Sequence, residues 1–377
     1  MSSLFDSLYY IIPFIFLLGV LVFVHEFGHF IIARMCGVRV TDFSIGFGRK
    51  LWGFTDKYQT NWKICAIPLG GYCQFLGDAN GASAGDDENV LDSLSEEDKK
   101  HAFSLQNPWK KLAIVLGGPG FNYLFAIVVL AFVFMFIGNI VYPPVVGGII
   151  PGGAADKAGI LPNDRIIEVN GRKISEFSDI SSEIALSASG YADIVLKRGD
   201  ETIKLNIKLT NISVEDGKPV SERPMLGIKS KSTVEVGERK LSFFKAFALA
   251  GKEAWRMSVD TLRGVGQMIR GSRGTEDIGG IIRIAEMTGD ISKTHSWIDF
   301  VGFMAMLSIN LGLINLFPIP VLDGGHVVIF LLEIISGREM HEKVKEVLFK
   351  CGFAFLLALM LLATWNDFVH LFKRWFV

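Results

Sequence analysis

The chain has 377 residues, 50% hydrophobic and 20% charged, with 38 Lys and Arg against 39 Asp and Glu and a formal net charge of −1. Together with a mean hydropathy of +0.38, this excludes an ordinary soluble domain, and the lack of any basic stripe excludes a nucleic-acid partner. What remains is a polytopic membrane protein with a water-exposed portion. Cys36, Cys65, Cys73 and Cys351 show no CxxC spacing and no secreted-style framework. They are expected to be free thiols, although a hairpin could bring Cys65 and Cys73 together.

The first apolar run extends from Tyr9 to about Ile32. The residues before it lack a positive n-region and the run outlasts a signal sequence, so a retained helix is expected. Within it lies His25-Glu26-Phe27-Gly28-His29. At 3.6 residues per turn His25 and His29 share one face, and Glu26 lies about 100° round, within reach of a water on a bound metal. In a soluble helix such a pattern often arises by chance and an unpaired His is usually structural. Inside lipid each ionisable group costs roughly 2.5 to 3.5 kcal/mol and is usually functional. Two imidazoles and a third protein ligand would hold Zn2+ with one position open for water, and Glu26 would be the general base.

After this span Val38 to Ile45 alternates like a strand, and Gly46-Phe47-Gly48 and Pro68-Leu69-Gly70-Gly71 punctuate a sheet-like stretch to about Leu76. Either the sheet is a structural cap, or it offers an edge near Ile45 that pairs with an unwound substrate. Asp78 to Lys100 is polar and acidic and is expected to be a solvated loop. A second apolar run covers Lys111 to Tyr142.

Pro143 to about Ser230 has the length and pattern of one PDZ domain, which it resembles at Val145-Val146-Gly147-Gly148-Ile149, Ala154 to Ile160 and Asn163 to Gly171. Leu226-Gly227-Ile228 is a candidate carboxylate-binding loop or a plain strand end. From Leu241 to Gly271 apolar residues recur at helical spacing among Lys and Arg, an amphipathic helix on the membrane surface or on the bundle.

The third span, Ile298 to Phe317, ends in Asn315-Leu316-Phe317-Pro318-Ile319-Pro320-Val321-Leu322-Asp323-Gly324-Gly325-His326. Two prolines and two glycines break the helix, which membranes tolerate where the break lines an enclosed or wet cavity. In an alternating topology the ends of spans one and three face the same side, so His25, His29 and Asp323 can meet. His326 competes as third ligand. Asn315 could donate to a water or a substrate carbonyl, or make an interhelical contact.

With a fourth run from Val347 to Phe368, both termini lie on one side. Basic residues after span one, before span two and between spans three and four place those connections in the cytoplasm and 143–297 outside. The expected fold is a polytopic α-helical membrane protein with four transmembrane helices, a small membrane-associated β-sheet and one extracytoplasmic PDZ (α/β) domain. Its segments are 1–35 (first helix), 36–108 (β-rich and acidic loop), 109–142 (second helix), 143–230 (PDZ), 231–297 (amphipathic connector), 298–335 (third helix and broken segment) and 336–377 (fourth helix and tail).

Taken together, the HExxH helix, Pro68-Leu69-Gly70-Gly71-Tyr72, Gly118-Pro119-Gly120-Phe121-Asn122, the PDZ pattern and Asn315 to His326 resemble the site-2 protease family of intramembrane zinc metalloproteases, and within it the RseP-type regulators of sigma-factor activity. The resemblance spans nearly the whole chain. It implies zinc held by His25, His29 and Asp323, which favours Asp323 over His326, with Glu26 as base and with Asn315 and Asn122 near the substrate. It further implies a multi-pass protein of the bacterial inner membrane, its PDZ in the periplasm, acting on pre-trimmed single-pass proteins such as anti-sigma factors and signal-peptide remnants. The chain departs from the longer members in having room for only one PDZ domain. It also has Gly279-Gly280 where relatives usually carry Gly-Pro, which is expected to loosen the lead into span three. The rival readings are a non-catalytic membrane scaffold with a bracing zinc, against which the retained Glu26 argues, and an ion transporter, which tends to show an inverted repeat absent here.

Overall fold

The computed structural model describes residues 2–77, 94–138, 140–187, 190–209, 214–215, 218–219, 225–231, 235–236, 241–271, 279–294 and 296–376. Most of the acidic loop expected at Asp78 to Lys100, residues 78–93, lies outside them. The described chain forms two compact units, one of residues 1–130 and 276–377, the other of residues 131–275.

The first unit opens with α1 (Ser2–Met35). It is followed by β1 (Val40–Thr55), β2 (Asn61–Phe75), the single turn α2 (Glu96–Lys99) and α3 (Pro108–Phe136), whose last turns pass into the second unit. Among the described residues four stretches are long and apolar enough to cross a membrane: Tyr9–Met35, Pro108–Phe136, Trp297–Asn315 and Glu342–Phe372. The first and last of these helices, Ser2–Met35 and Glu342–Phe376, outrun their apolar runs, because polar residues at a helix end cost nothing once the segment has left the hydrocarbon. Ile12, Phe16, Phe353 and Trp365 remain exposed on these helices, as faces meant for lipid should be.

β1 and β2 form more than a plain hairpin. Gly46 and Gly48, at φ +89° and +82°, bend β1 in conformations that a side chain would resist. Segments 40–45 pair with both 61–64 and 71–75, and 50–55 pair back onto 61–65. Four segments thus lie side by side in the order 50–55, 61–65, 40–45 and 71–75. Cys65 and Cys73 both belong to β2, opposite Lys50 and Phe43 respectively, so the hairpin does not join them and all four cysteines are thiols outside any disulfide.

In the second unit, β3 (Val146–Ile149) precedes the one-turn α4 (Ala154–Lys157), then β4 (Arg165–Val169), β5 (Arg172–Lys173), α5 (Phe177–Ala185), β6 (Tyr191–Arg198), β7 (Glu201–Lys208) and β8 (Ile228–Ser230). The sheet order is β5-β4-β6-β7, with β8 paired to β3. Alternation along β6 buries Ala192, Ile194 and Leu196 against Ile166, Val169, Ile180 and Ile184. The amphipathic pattern at 241–271 forms α6 (Phe243–Ile269). It is fastened to α5 by Arg256 to Asp179 at 2.5 Å and by Arg263 to Glu183 at 3.2 Å.

One ion pair in this unit carries a pH prediction. Burial alone would raise the Asp164 carboxyl, but two hydrogen bonds from Arg198 at 2.7 and 2.8 Å, one from the Leu161 N–H at 2.8 Å and the guanidinium charge hold it below its ordinary value. A depressed folded-state pKa gives stability that is complete above about pH 4, the unfolded value, and is lost as pH falls through the folded one. The protection factors of the Ile166 and Val169 amides in the full chain, from which the pH dependence of intrinsic exchange is divided out, are therefore expected to fall on acidification below about pH 4, with Asp164→Asn flattening that dependence.

The chain then returns to the first unit with α7 (Ile281–Lys293), α8 (Trp297–Asn315), α9 (Asp323–Ser336) and α10 (Glu342–Phe376). Asp367 on α10 is 2% exposed and accepts hydrogen bonds from the N–H groups of Gly280 at 2.8 Å and Ile282 at 3.0 Å, capping α7 in place of a local side chain. This corrects the expectation of a loosened lead into span three. A proline at 280 would have no N–H to give, and a Cβ there would stand 2.6 Å from Asp367 Oδ2.

Candidate metal centre

α1 sets the imidazoles of His25 and His29 one turn apart, both buried. Their Nε2 atoms face each other at 3.3 Å. Asp323, in the first turn of α9, places Oδ2 3.2 Å from His25 Nε2 and Oδ1 3.5 Å from His29 Nε2. A tetrahedral ion bound at about 2.0 to 2.1 Å keeps its donors roughly 3.3 Å apart, so these separations fit a zinc-sized cation. The same conclusion follows from polarity. Asp323 Oδ2 is buried and, despite its short approach to His25, accepts no hydrogen bond of acceptable geometry. A bare carboxylate oxygen in such surroundings calls for a positive charge. His326 lines the same cavity but its ring packs with Phe349 and Phe330 at centroid distances of 5.1 and 6.1 Å, outside the convergent group of His25, His29 and Asp323.

The imidazoles are oriented from behind. His29 Nδ1 lies 2.9 Å from the Ile114 carbonyl of α3, which can only accept, so Nδ1 carries the proton and Nε2 is left as a lone pair. His25 Nδ1 lies 3.0 Å from the side-chain amide of Asn122, and one orientation of that amide makes Nδ2 the neighbour. That orientation leaves Asn122 Oδ1 buried and unpartnered. Rotating the amide places Oδ1 against His25 Nδ1–H and leaves His25 Nε2 a lone pair, which suits the Asn315 amide nitrogen 3.3 Å away, so we assign the rotated form. Asn122→Ala is then expected to weaken zinc binding about 10- to 100-fold, read by chelator competition, and Asn122→Asp to restore it. If Nδ2 were the donor, Asp would not rescue.

Close backbone approach makes the geometry possible. A Cβ on Gly28 would lie 2.2 Å from the Gly117 carbonyl oxygen, and one on Gly118 would lie 2.3 Å from His29 Nε2, so α3 presents a bare ridge on which α1 and its imidazoles rest. On the other side, a Cβ on Gly324 would lie 2.2 Å from Phe317 O and one on Gly325 2.5 Å from Ile319 O. The first turn of α9, which carries Asp323, thus nests on the Pro-containing loop that precedes it. Val321 in that loop has φ +90°, a strained setting for a β-branched residue.

Glu26 is half-buried and faces a cavity of about 620 Å³ together with His25, His29, Asn315 and Asp323. The Asn315 amide comes to 3.3 Å from His25 Nε2, at the cluster itself. Ile45 must be corrected. It is matched on both sides, by Gly71 and by Ile64, so it offers no free edge. The cavity is bordered instead by Gly70, Gly71, Tyr72 and Cys73, in the outer segment of the sheet. Gly117 and Gly118 escaped the sequence reading as functional positions. The available signal was a glycine pair inside an apolar helix, which costs helix stability unless something must come close.

The family model described as Peptidase family M50 matches residues 13–359. A protein of Rhizobium meliloti with a provisional zinc-metalloprotease name is 36% identical over 99% of this chain and 100% of its own length. A similarly named protein of Rickettsia conorii is 37% identical over 96% and 99%. Metalloprotease MmpA of Caulobacter vibrioides is 32% identical over 95% and 94%. The chain therefore belongs to peptidase family M50, the site-2 protease family of zinc metalloproteases.

Proposed function

We propose that this chain is an intramembrane protease of regulated intramembrane proteolysis. It cleaves within or near the transmembrane helix of single-pass proteins already shortened by another protease, with anti-sigma factors and remnant signal peptides as the substrate classes. One observation carries the reading: His25, Glu26 and His29 lie on a helix apolar enough to span a membrane, Asp323 joins the two imidazoles from the start of α9, and the group opens on a cavity bordered by an outer strand. His25, His29 and Asp323 are the metal ligands. When bound, zinc supplies Lewis acidity toward a peptide carbonyl and toward water. Glu26 takes a proton from the attacking water and returns it to the leaving amine. Asn315 donates its amide to the carbonyl oxygen as charge builds there, and Asn122 holds His25. Gly70 to Cys73 receives the unwound backbone as an added strand.

We read 143–230 as a PDZ domain on the periplasmic side of the bacterial inner membrane. The order of strands and helices between β3 and β8 supports that reading, as does Gly227, at φ +78°, in the candidate carboxylate-binding loop. Its role would be to sense trimmed chain ends. The test is cleavage of a model single-pass substrate by the purified protein in liposomes, with the product mapped by mass spectrometry. Cleavage inside the membrane segment, lost on chelation and regained with zinc, is expected. Cleavage confined to water-exposed loops would overturn the intramembrane reading, and none from the zinc-loaded protein would favour the scaffold.

A further inference from the structure

A second cavity of the first unit, about 570 Å³, opens where α1 ends and is lined by Arg34, Arg39, Lys57, Tyr58, Gln59 and His101 among others. Three cationic side chains and an imidazole thus surround one space. The carboxylates that pair with the two arginines are not among the lining residues. Asp56 holds Arg34 at 2.6 Å and Asp98 holds Arg39 at 2.6 Å, which fixes the two guanidinium groups. Arg34 is held further between the Phe30 and Tyr58 rings, at 4.5 and 4.4 Å from their centroids. Lys57 is exposed, and its ammonium has the Tyr58 ring at 5.0 Å but no ion pair among the described residues. Preformed guanidinium forks beside an uncommitted ammonium match the oxygens of a phosphate.

The position chooses the phosphate's source. Arg34 occupies the last turn of a candidate span that ends at Met35, five residues beyond His29, or about 7.5 Å along the helix. Leu51, Trp52, Phe54 and Tyr58 are 66%, 60%, 50% and 58% exposed on the adjoining outer segment and turn. Exposed aromatics beside basic groups at the end of an apolar helix are the composition of a membrane–water boundary. We propose that this cavity binds the phosphate headgroup of an anionic phospholipid, with Arg34, Arg39 and Lys57 as its cationic contacts and the exposed aromatics against the acyl region. The bound lipid anchors the edge of the β1–β2 sheet opposite to the one that borders the catalytic cavity.

The experiment is native mass spectrometry of the full-length protein in detergent, titrated with phosphatidylglycerol, with phosphatidylcholine, and with inorganic phosphate alone. Phosphatidylglycerol is expected to bind at least fivefold more tightly than phosphatidylcholine. Lys57→Gln with Arg39→Gln should lower its affinity about tenfold or more, from the usual contribution of a basic residue at an anionic surface. Lys57→Gln alone, at an exposed site that holds no structural contact beyond one ring, guards against misfolding and should give part of the loss. Lys350→Gln, which removes one charge elsewhere on the surface, should give none. Equal binding of the two lipids, or unchanged affinity in both Lys57 variants, would overturn the proposal. So would saturation by inorganic phosphate that excludes the lipid at equal concentration, which would assign the cavity to free phosphate. Because the readout is binding, its failure would leave the protease reading standing.

Discussion

Glu26→Gln is expected to retain zinc and the fold while slowing single-turnover cleavage by about 10³-fold, within the range that a positioned general base supplies. Glutamine has nearly the shape of glutamate, so it keeps the packing at Gly71, where a Cβ would stand 3.2 Å from Glu26 Cγ. It can still donate or accept a hydrogen bond. What it cannot do is remove a proton from water and deliver it to an amine. The contrast with ligand variants makes the test informative. Loss of His25 or His29 should empty the site, whereas Glu26→Gln should leave zinc stoichiometry at the wild-type level. Wild-type cleavage by this variant would remove Glu26 from the chemistry. Loss of zinc would instead make it a structural partner of the site.

The second large effect is expected from a residue without any functional group. Gly118→Ala should reduce zinc occupancy and lower cleavage by about 100-fold or more, the order associated with disturbed support of a metal ligand, without unfolding the bundle. The new methyl would stand 2.3 and 2.6 Å from His29 Nε2 and Cε1 and 2.8 Å from His25 Cε1. The ring cannot swing away freely, because its Nδ1 is tied to the Ile114 carbonyl one turn earlier on the same helix. Gly120→Ala is the matched control, since a Cβ there meets nothing within 4 Å. It should be neutral or slightly stabilising, as alanine replaces glycine in a helix. Equal behaviour of the two variants would show that α3 does not shape the site.

What could be read from the sequence follows a physical division. That His25, Glu26 and His29 lie together was legible because helical spacing alone puts them there, and that Asp323 meets the imidazoles because alternating spans bring the broken end of span three to the same side, with the preference over His326 coming from the family resemblance. Four apolar runs located the long helices, though not their polar ends. Illegible were the relations that depend on distant segments meeting. Ile45 looked like an edge because alternation reveals a strand but not its neighbours, and the bends at Gly46 and Gly48 decide those. Gly280 looked like a lost proline until Asp367, 87 residues on, supplied an acceptor for its N–H. Gly118 has no meaning until an imidazole lies across it.

Val321 sets the terms on which this enzyme could be engineered. A β-branched residue held at φ +90°, two positions before Asp323, stores strain of order 1 to 3 kcal/mol. A search for thermostable variants would therefore recover glycine at 321 early. The same relaxation would widen the distribution of Asp323 carboxylate positions, so hardier protein would be slower protein, a trade-off rooted in a single backbone torsion.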